Sequence, residues 1–420
     1  MTPSMQSQAD VVVVGSGAFG LSVAFHLKQF GVKDVVVLER FGVVSQTSPR
    51  AAGLFKLIQP DETRTQISRL SIDKVLNFER DTGVALPVVR SGSLMIARTP
   101  QHAALIGKEV EQSRDWGVSI EPIDGAEVHR LAPYFQPGRV DAACYVPDDV
   151  YIEEPASMLN AFLEAGRRLG VQVREYSEVT GVRIREGAVQ SVVTEAGDIE
   201  TPVVVDAAGA WAGMVGAMAD GWVPVAPVRH QLFITDPISG VEPHYPITRV
   251  IDCAVYVRPA RGGLMLGGFE NDPLPLDPQD AALDFTIDDV PLDITVLDRF
   301  RDSLSHEIGA FHGAAIGEHR GGLFTMTSDG RFLAGPVPGV HGLWSATGCN
   351  GSGFSASPGI GQVLAEWITT GDTSINMSTL SPERVSHSHT SREELREAGV
   401  WQYAHYYDPR ASEAEPIYQG

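Results

Sequence analysis

Residues 10–40 read DVVVVGSGAFGLSVAFHLKQFGVKDVVVLER. Asp10 to Val14 is a short apolar run of the kind found in strands buried on both faces. Gly15-Ser16-Gly17-Ala18-Phe19-Gly20 follows it. Leu21 to Gly31 carries apolar residues at helical spacing, and Val35 to Leu38 is a second buried-strand run ending in Glu39-Arg40. Strand, GxGxxG, helix, strand and acid, in that order within about thirty residues, make up the dinucleotide-binding βαβ fingerprint. Gly15 allows the tight turn out of the strand, Gly17 lets backbone approach a pyrophosphate, and Gly20 lets the helix pack closely on the sheet. The helix N-terminus offers unpaired N–H groups and a partial positive charge to phosphates. Glu39 can accept hydrogen bonds from ribose hydroxyls and would repel a 2′-phosphate, which disfavours NADP.

The remaining composition is that of a globular protein. The chain has 420 residues, 43% of them hydrophobic, with a mean hydropathy of −0.03. This length is enough for two lobes with sizeable cores. No apolar stretch reaches the roughly 18 residues that span a bilayer, and MTPSMQSQAD lacks the basic and apolar regions of a secretory leader. The expected location is cytoplasmic. A net charge of −21 argues against nucleic acid or an anionic membrane as partner. Cys144, Cys253 and Cys349 are widely spaced, show no metal-ligand pattern, and read as reduced thiols. His387 and His389 sit in a polar tail and read as solvated; His129 and His230 read as structural.

Along the chain, the loop FGVVSQTSPRAAGLFKL (41–57) carries small residues able to pass close to a ligand, with Arg50 and Lys56 as its cations. Periodicity predicts helices over 63–80, 101–116, 125–131, 154–169, 292–308 and from about Pro358 to Thr369. It predicts strands within 84–97 and over 171–176, 179–185, 189–194, 202–206, 225–235, 254–258, 264–268, near 324 and over 343–347. A turn is expected at Ser91-Gly92 and hairpin turns at Glu186-Gly187 and Gly262-Gly263. Ser391 to Ala398 reads as a short helix, with the last ten residues loose. The strand 343–347 runs into Gly348-Cys349-Asn350-Gly351-Ser352-Gly353, a second glycine-rich loop before a helix.

Nucleotide-lobe segments thus recur near 10–80, 150–220 and 310–370. A lobe in pieces suits an extended FAD, with adenine at Glu39 and the flavin near Gly351, better than NAD. The expected fold class is α/β, with a Rossmann-like FAD-binding domain and a discontinuous, sheet-rich α+β substrate domain. The FAD-binding domain would comprise 1–83, 145–221 and 310–375, the substrate domain 84–144 and 222–309, and a C-terminal tail 376–420. The substrate pocket would lie between the lobes.

The stretches VVVVGSGAFGLSVAFHL, VVVLER, SPRAAGL, VVVDAAGAW, RPARGGLMLGGFE, FTMTSDGRFLAGPVPGVHGLWSATG and GIGQVLAEWI together resemble the FAD-dependent amine and amino-acid oxidoreductases. That family includes D-amino-acid oxidase, sarcosine oxidase and dimethylglycine dehydrogenase, and the resemblance is greatest to the sarcosine and dimethylglycine branch. It implies that Gly15, Gly17, Ala18, Phe19 and Gly20 hold the pyrophosphate and that Glu39 and Arg40 hold the adenosine end. It places Thr47, Ala52 and Gly53 near the flavin, Val179 at adenine, and Ala208 and Gly209 in the same half. Gly348, Asn350, Gly351, Ser352, Gly353 and Phe354 would border the flavin's pyrimidine edge and ribityl chain.

Departures from the family pattern narrow the expectation. Relatives that attach FAD covalently use a His where this chain has Arg50, or a Cys where it has Gly322, so non-covalent FAD is expected. The oxygen-activating lysine of sarcosine oxidase matches Met265, and a second carboxylate-binding cation matches Ser355. Arg50, Lys56, Tyr256 and Arg258 are the candidates to line the substrate pocket. The implied reaction oxidises a secondary or tertiary amine or amino acid, N-methyl or D-amino-acid-like, to an imine by hydride transfer to flavin N5, with hydrolysis following. The partners are then a small amine and oxygen or another electron acceptor. The alternatives are a dehydrogenase with a non-oxygen acceptor, or a non-catalytic flavin-binding subunit.

Overall fold

The structure is a computed structural model and describes residues 7–385 and 391–408. Val11–Val14 pairs in parallel with Val35–Leu38 on one side and Val204–Asp206 on the other. The six-stranded sheet around them runs Leu333–Pro336, Leu343–Thr347, Val204–Asp206, Val11–Val14, Val35–Leu38 and Gln172–Arg174. Only the edge strand Leu333–Pro336 is antiparallel to its neighbour. Alternate side chains divide two cores, as the two-residue strand period requires. Val11, Val13, Val35 and Val37 pack on the helices Ala18–Gln29 and Gly353–Thr370. Val12, Val14, Val36 and Leu38 pack against the three-stranded sheet of residues 179–200 and the helix Ala212–Met218.

The second sheet has eight strands: Ile316–Met326, Ala226–Thr235, Gly263–Gly268, Val255–Ala260, Ile247–Val250, Ser93–Ala97, Ala142–Val146 and Glu121–Ile123. Leu94, Ile96, Phe233 and Leu266 on one face meet Val128 and Leu297 of the helices Gly125–Leu131 and Ile294–Ser303. The opposite face packs on the helices Pro100–Asp115 and Arg392–Ala404 and carries His230, Arg249 and Tyr256.

Several expectations need adjustment. Ile316–Met326 pairs antiparallel with Ala226–Thr235 along its whole length, so the return to the first sheet expected near 310 comes only at Leu333. Gly317, Gly321 and Gly322 interrupt the apolar pattern and hide this strand from a periodicity reading. A Cβ at Gly321 would lie 2.8 Å from the His230 carbonyl, so the pairing itself requires the missing side chain. Within 84–97 only Ser93–Ala97 is a strand. The hairpin expected at Gly262-Gly263 turns at Arg261-Gly262, both at positive φ (52° and 77°). The helix expected over 292–308 ends at Ser303.

The helix expected from Pro358 begins five residues earlier, at Gly353. Pro358 cannot serve the Phe354 carbonyl, and Ser357 Oγ donates to it instead at 2.9 Å. The Gly359 N–H goes to Ser71 Oγ at 2.9 Å, on the helix Glu62–Thr82. A proline inside the helix is thus tolerated because neighbouring hydroxyls satisfy the backbone.

The segment expected as a tail is part of the second lobe. The helix Arg392–Ala404 starts at a Ser391/Glu394 capping box and lies on Ala226–Thr235 so closely that a Cβ on Gly399 would be 2.6 Å from Ala226 Cβ. His387, His389 and residues 411–420 lie outside the described residues.

Candidate cofactor and substrate site

A single long cleft runs between the two sheets. Val14-Gly15, Leu38-Glu39, Ala207 and Thr347 border it, so it lies at the carboxyl ends of four parallel strands. At this edge Gly15 has φ 102°, and a Cβ there would be 2.6 Å from the Ala207 carbonyl. A Cβ on Gly20 would fall 1.9 Å from the Gly15 carbonyl, so Gly20 serves the turn itself as well as helix packing. Gly17, Ala18 and Phe19 line the cleft, and the Ala18 N–H donates to Ser48 Oγ at 3.1 Å.

Glu39 is buried and lines the cleft. Its Oε2 accepts from Ser16 N at 2.8 Å and Ser16 Oγ at 2.7 Å, and its Oε1 from Phe41 N at 2.9 Å. Arg40 pairs with Glu178 at 3.3 Å beside Val179, and Trp211, Met214 and Met218 form the apolar wall there. Thr47, Ala52, Gly53, Ala208 and Gly209 border the middle of the cleft. Gly351, Ser352, Gly353 and Phe354 border its far end, at the start of the helix Gly353–Thr370. Gly20, Gly348 and Asn350 stand behind the surface. Asn350 accepts from Thr327 N at 2.9 Å and donates to the Gly348 carbonyl at 2.7 Å, which locks the loop.

A profile of the FAD dependent oxidoreductases matches residues 10–367. The chain belongs to the FAD dependent oxidoreductase family. It is 29% identical to mouse sarcosine dehydrogenase (Mus musculus) over 98% of this chain and 45% of that protein. It is 29% identical to 4-methylaminobutanoate oxidase (formaldehyde-forming) of Paenarthrobacter nicotinovorans over 92% of this chain and 46% of that one. The chain spans about half the length of the curated relatives it matches. The fold is that of L-proline dehydrogenase from P. horikoshii, with a TM-score of 0.82, 24% identity, and coverage of 90% of this chain and 98% of that one.

The cofactor of this flavoenzyme is FAD, and the cleft fits it. A glycine cradle at a helix N-terminus, a carboxylate at the end of the second strand and a glycine loop at a second helix start lie along one groove. Thr347 Oγ1 borders that groove, is buried, and has no hydrogen-bond partner in the protein.

The four residues expected at the substrate end fare differently. Arg50 lines the cleft, but its guanidinium is taken up by the Ser45 and Gln46 carbonyls and by Asp288 at 2.6 Å. Lys56 lines it and pairs with Glu109 at 3.0 Å. Arg258 is fully buried, donates to the carbonyls of Ala52, Glu153 and Pro259, and lies over the Tyr151 ring at 4.6 Å. It holds the loop and strand together outside the cleft lining. Burial lowers its guanidinium to about 10. Met265 is fully buried among Leu232, Ile234 and Ala260, and Ser355 donates to the Ser352 carbonyl.

Tyr256 lines the cleft, and with it stands His230, a histidine whose sequence context points to a structural role. His230 Nε2 lies 2.9 Å from the Tyr256 hydroxyl, and Nδ1 lies 2.7 Å from the Tyr403 hydroxyl. The imidazole stacks on Phe324 with centroids 4.2 Å apart. Burial drives its pKa down to about 3, so the ring is neutral.

Two further cations were missed. Arg249 pairs with the buried Asp149 at 3.3 Å. Arg320 reaches Glu318 at 3.2 Å and the Ala51 carbonyl at 3.0 Å, while its Nε is buried without a partner. Both line the cleft. The two-residue strand period puts Arg320 and Phe324 on one face, but residues 318–324 carry no polar–apolar alternation that would mark the strand in the sequence. Tyr406, stacked on Phe269 at 3.9 Å and 3.3 Å from Ser352 Oγ, closes the end of the cleft.

The three cysteines are unpaired, and burial pushes each thiol up, consistent with inert side chains. Among the described residues there is no group of His, Cys, Asp and Glu able to hold a metal, and no helix long and apolar enough to cross a membrane.

Proposed function

We propose that this chain oxidises a secondary or tertiary amine of the N-methyl or amino-acid type to an imine, which water then hydrolyses. The observation that carries the reading is the continuity of the cleft. The nucleotide-binding groove opens directly into a pocket walled by Tyr256, His230, Arg320, Arg249 and Lys56. The relatives named for sarcosine and 4-methylaminobutanoate support the substrate class.

When bound, FAD supplies the two-electron acceptor for the hydride leaving the amine's α-carbon. The chain's residues position the substrate. Arg320, whose buried Nε has no partner, places positive charge along the pocket wall and favours a substrate carrying a carboxylate, whereas Lys56 and Arg249 are held by Glu109 and Asp149. Phe269, Phe324 and Tyr406 exclude water from the reacting carbon. The first-turn N–H groups of the helix Gly353–Thr370 favour negative charge at the adjoining end of the groove. No side chain need take the amine proton if the substrate arrives neutral.

The reading includes non-covalent FAD, because Arg50 and Gly322 stand where a covalent His or Cys would be. Both oxygen and another acceptor are compatible with it. The apolar Met265 at the oxygen-activating position favours another acceptor. The proposal keeps a cytoplasmic location, supported by the acidic charge and the unpaired cysteines.

Anaerobic mixing of the holoprotein with sarcosine, dimethylglycine, other N-methyl amino acids and D-amino acids tests the reading. Bleaching of the flavin by at least one supports it, and retention of oxidised flavin with all of them refutes it. The rate of reoxidation in air then separates oxidase from dehydrogenase.

A further inference from the structure

Three aromatic side chains from three separate elements meet in one hydrogen-bonded line. Tyr256 comes from Val255–Ala260, His230 from Ala226–Thr235, and Tyr403 from the C-terminal helix Arg392–Ala404. Tyr403 lies beyond residues 10–367, the part of the chain that the family profile covers. Gly267 sits opposite Tyr256 across the strand pair, and a Cβ there would lie 2.3 Å from the phenol oxygen. The sheet therefore leaves room for this tyrosine to lie flat along the cleft wall.

A neutral imidazole has one N–H and one bare nitrogen, so the line has a direction. In one direction Tyr256 donates to Nε2, and Nδ1–H donates to Tyr403. The Tyr403 hydroxyl proton would then need another acceptor. Tyr403 is fully buried, and among the described residues its side-chain hydrogen-bond partner is His230. That direction strands a buried O–H and is disfavoured by roughly tenfold or more.

In the other direction Tyr403 O–H donates to Nδ1, and Nε2–H donates to the Tyr256 oxygen. The Tyr256 proton is then turned away from the imidazole, and the open side of Tyr256 is the cleft. We propose that Tyr403 is a positioning residue: it fixes the Nε2–H tautomer of His230, so that Tyr256 presents its hydroxyl as a hydrogen-bond donor to an anionic oxygen of the substrate. The C-terminal helix thereby specifies the polarity of the pocket without touching the ligand. The role toward substrate rests on the amine-oxidation reading. The tautomer does not.

The test uses holoenzyme labelled with 15N in the histidine rings, with His230 assigned by the signals lost in His230→Gln. In the substrate-free wild type, Nε2 should be protonated and Nδ1 bare. Tyr256→Phe should keep that tautomer, because Tyr403 still donates to Nδ1. Tyr403→Phe should release it, giving a mixture with Nδ1–H. For sarcosine, or whichever amine bleaches the flavin, Tyr403→Phe should raise KM about five- to tenfold with kcat within about twofold, as loss of one oriented hydrogen bond implies. An Nδ1–H wild type overturns the proposal, as does a Tyr403→Phe spectrum identical to wild type. Should Tyr403→Phe fail to fold, the wild-type spectrum alone decides. If no amine reduces the flavin, the functional reading fails while the tautomer is still decided.

Discussion

Arg249→Met is expected to destabilise the fold in a pH-dependent way. Arg249 and Asp149 are buried together, with side chains 4% and 0% exposed. Asp149 also accepts from Leu57 N at 2.7 Å and from Ser93 Oγ, so one carboxylate ties the 53–58 loop to the second sheet. Burial pushes the Asp149 carboxyl above its ordinary range, and Arg249 is the largest of the groups pulling it back. Removing the guanidinium strands a buried charge, at a cost of about 3–5 kcal/mol near neutral pH.

For a chain of this size that corresponds to a Tm lower by roughly 3–6 °C, using about 2 cal/mol/K of unfolding entropy per residue. The sign with pH follows from the raised carboxyl. Below the unfolded-state value both states hold the proton and little stability is lost. As pH rises through the folded-state value, the folded form must ionise Asp149 or keep its proton against solution, and stability falls. Urea unfolding followed by tryptophan fluorescence should therefore show a larger deficit at pH 8 than at pH 5. Arg249→Met combined with Asp149→Asn should recover most of it. Equal losses at the two pH values, or a double variant no better than the single, would refute the reasoning.

Gly361→Ala would place its Cβ 2.2 Å from Ser22 Oγ, between the helices Gly353–Thr370 and Ala18–Gln29, and should cost about 1–3 kcal/mol in urea unfolding. Ser22→Ala in the same chain should return part of that loss. At Gly17 a Cβ meets only Ser48 Oγ at 3.2 Å, so Gly17→Val should project into the cleft. It should weaken FAD binding at least tenfold by fluorescence titration (about 1.4 kcal/mol), with the circular dichroism spectrum retained. Arg320→Met removes a cleft cation next to Ala51 and should lower the flavin midpoint potential by about 30 mV, or ~1.4 kcal/mol for two electrons. An unchanged potential would remove Arg320 from the flavin's surroundings.

The nucleotide half was legible because its determinants are local. The valine runs 11–14 and 35–37, Gly15, Gly17, Gly20 and the acid Glu39 within about thirty residues specify strand, turn, helix and strand, and the structure places them so. The substrate half was not, because its determinants lie far apart in sequence. Ile316–Met326 carries three glycines, of which Gly321 is required by the neighbouring strand and Gly322 by Thr47, and these erased the two-residue period that would have exposed Arg320. His230 lies in a strand whose ten residues are all buried, so nothing in its local pattern marks one face as a cleft. Tyr403 and Tyr406 follow a polar stretch and looked like a tail; only tertiary packing brings them to Phe269 and Ser352. Arg258 misled in the opposite sense. An arginine in a strand beside a ligand loop reads as a binding residue, yet its donors satisfy three backbone carbonyls.

The central claim is tested most directly by the absorption spectrum of the purified protein before and after acid precipitation, followed by anaerobic addition of sarcosine, dimethylglycine and the other N-methyl and D-amino acids. Flavin bands near roughly 370 and 450 nm that leave with the supernatant and bleach with one of those amines are the expected result. A colourless protein that takes up no FAD on reconstitution would contradict it.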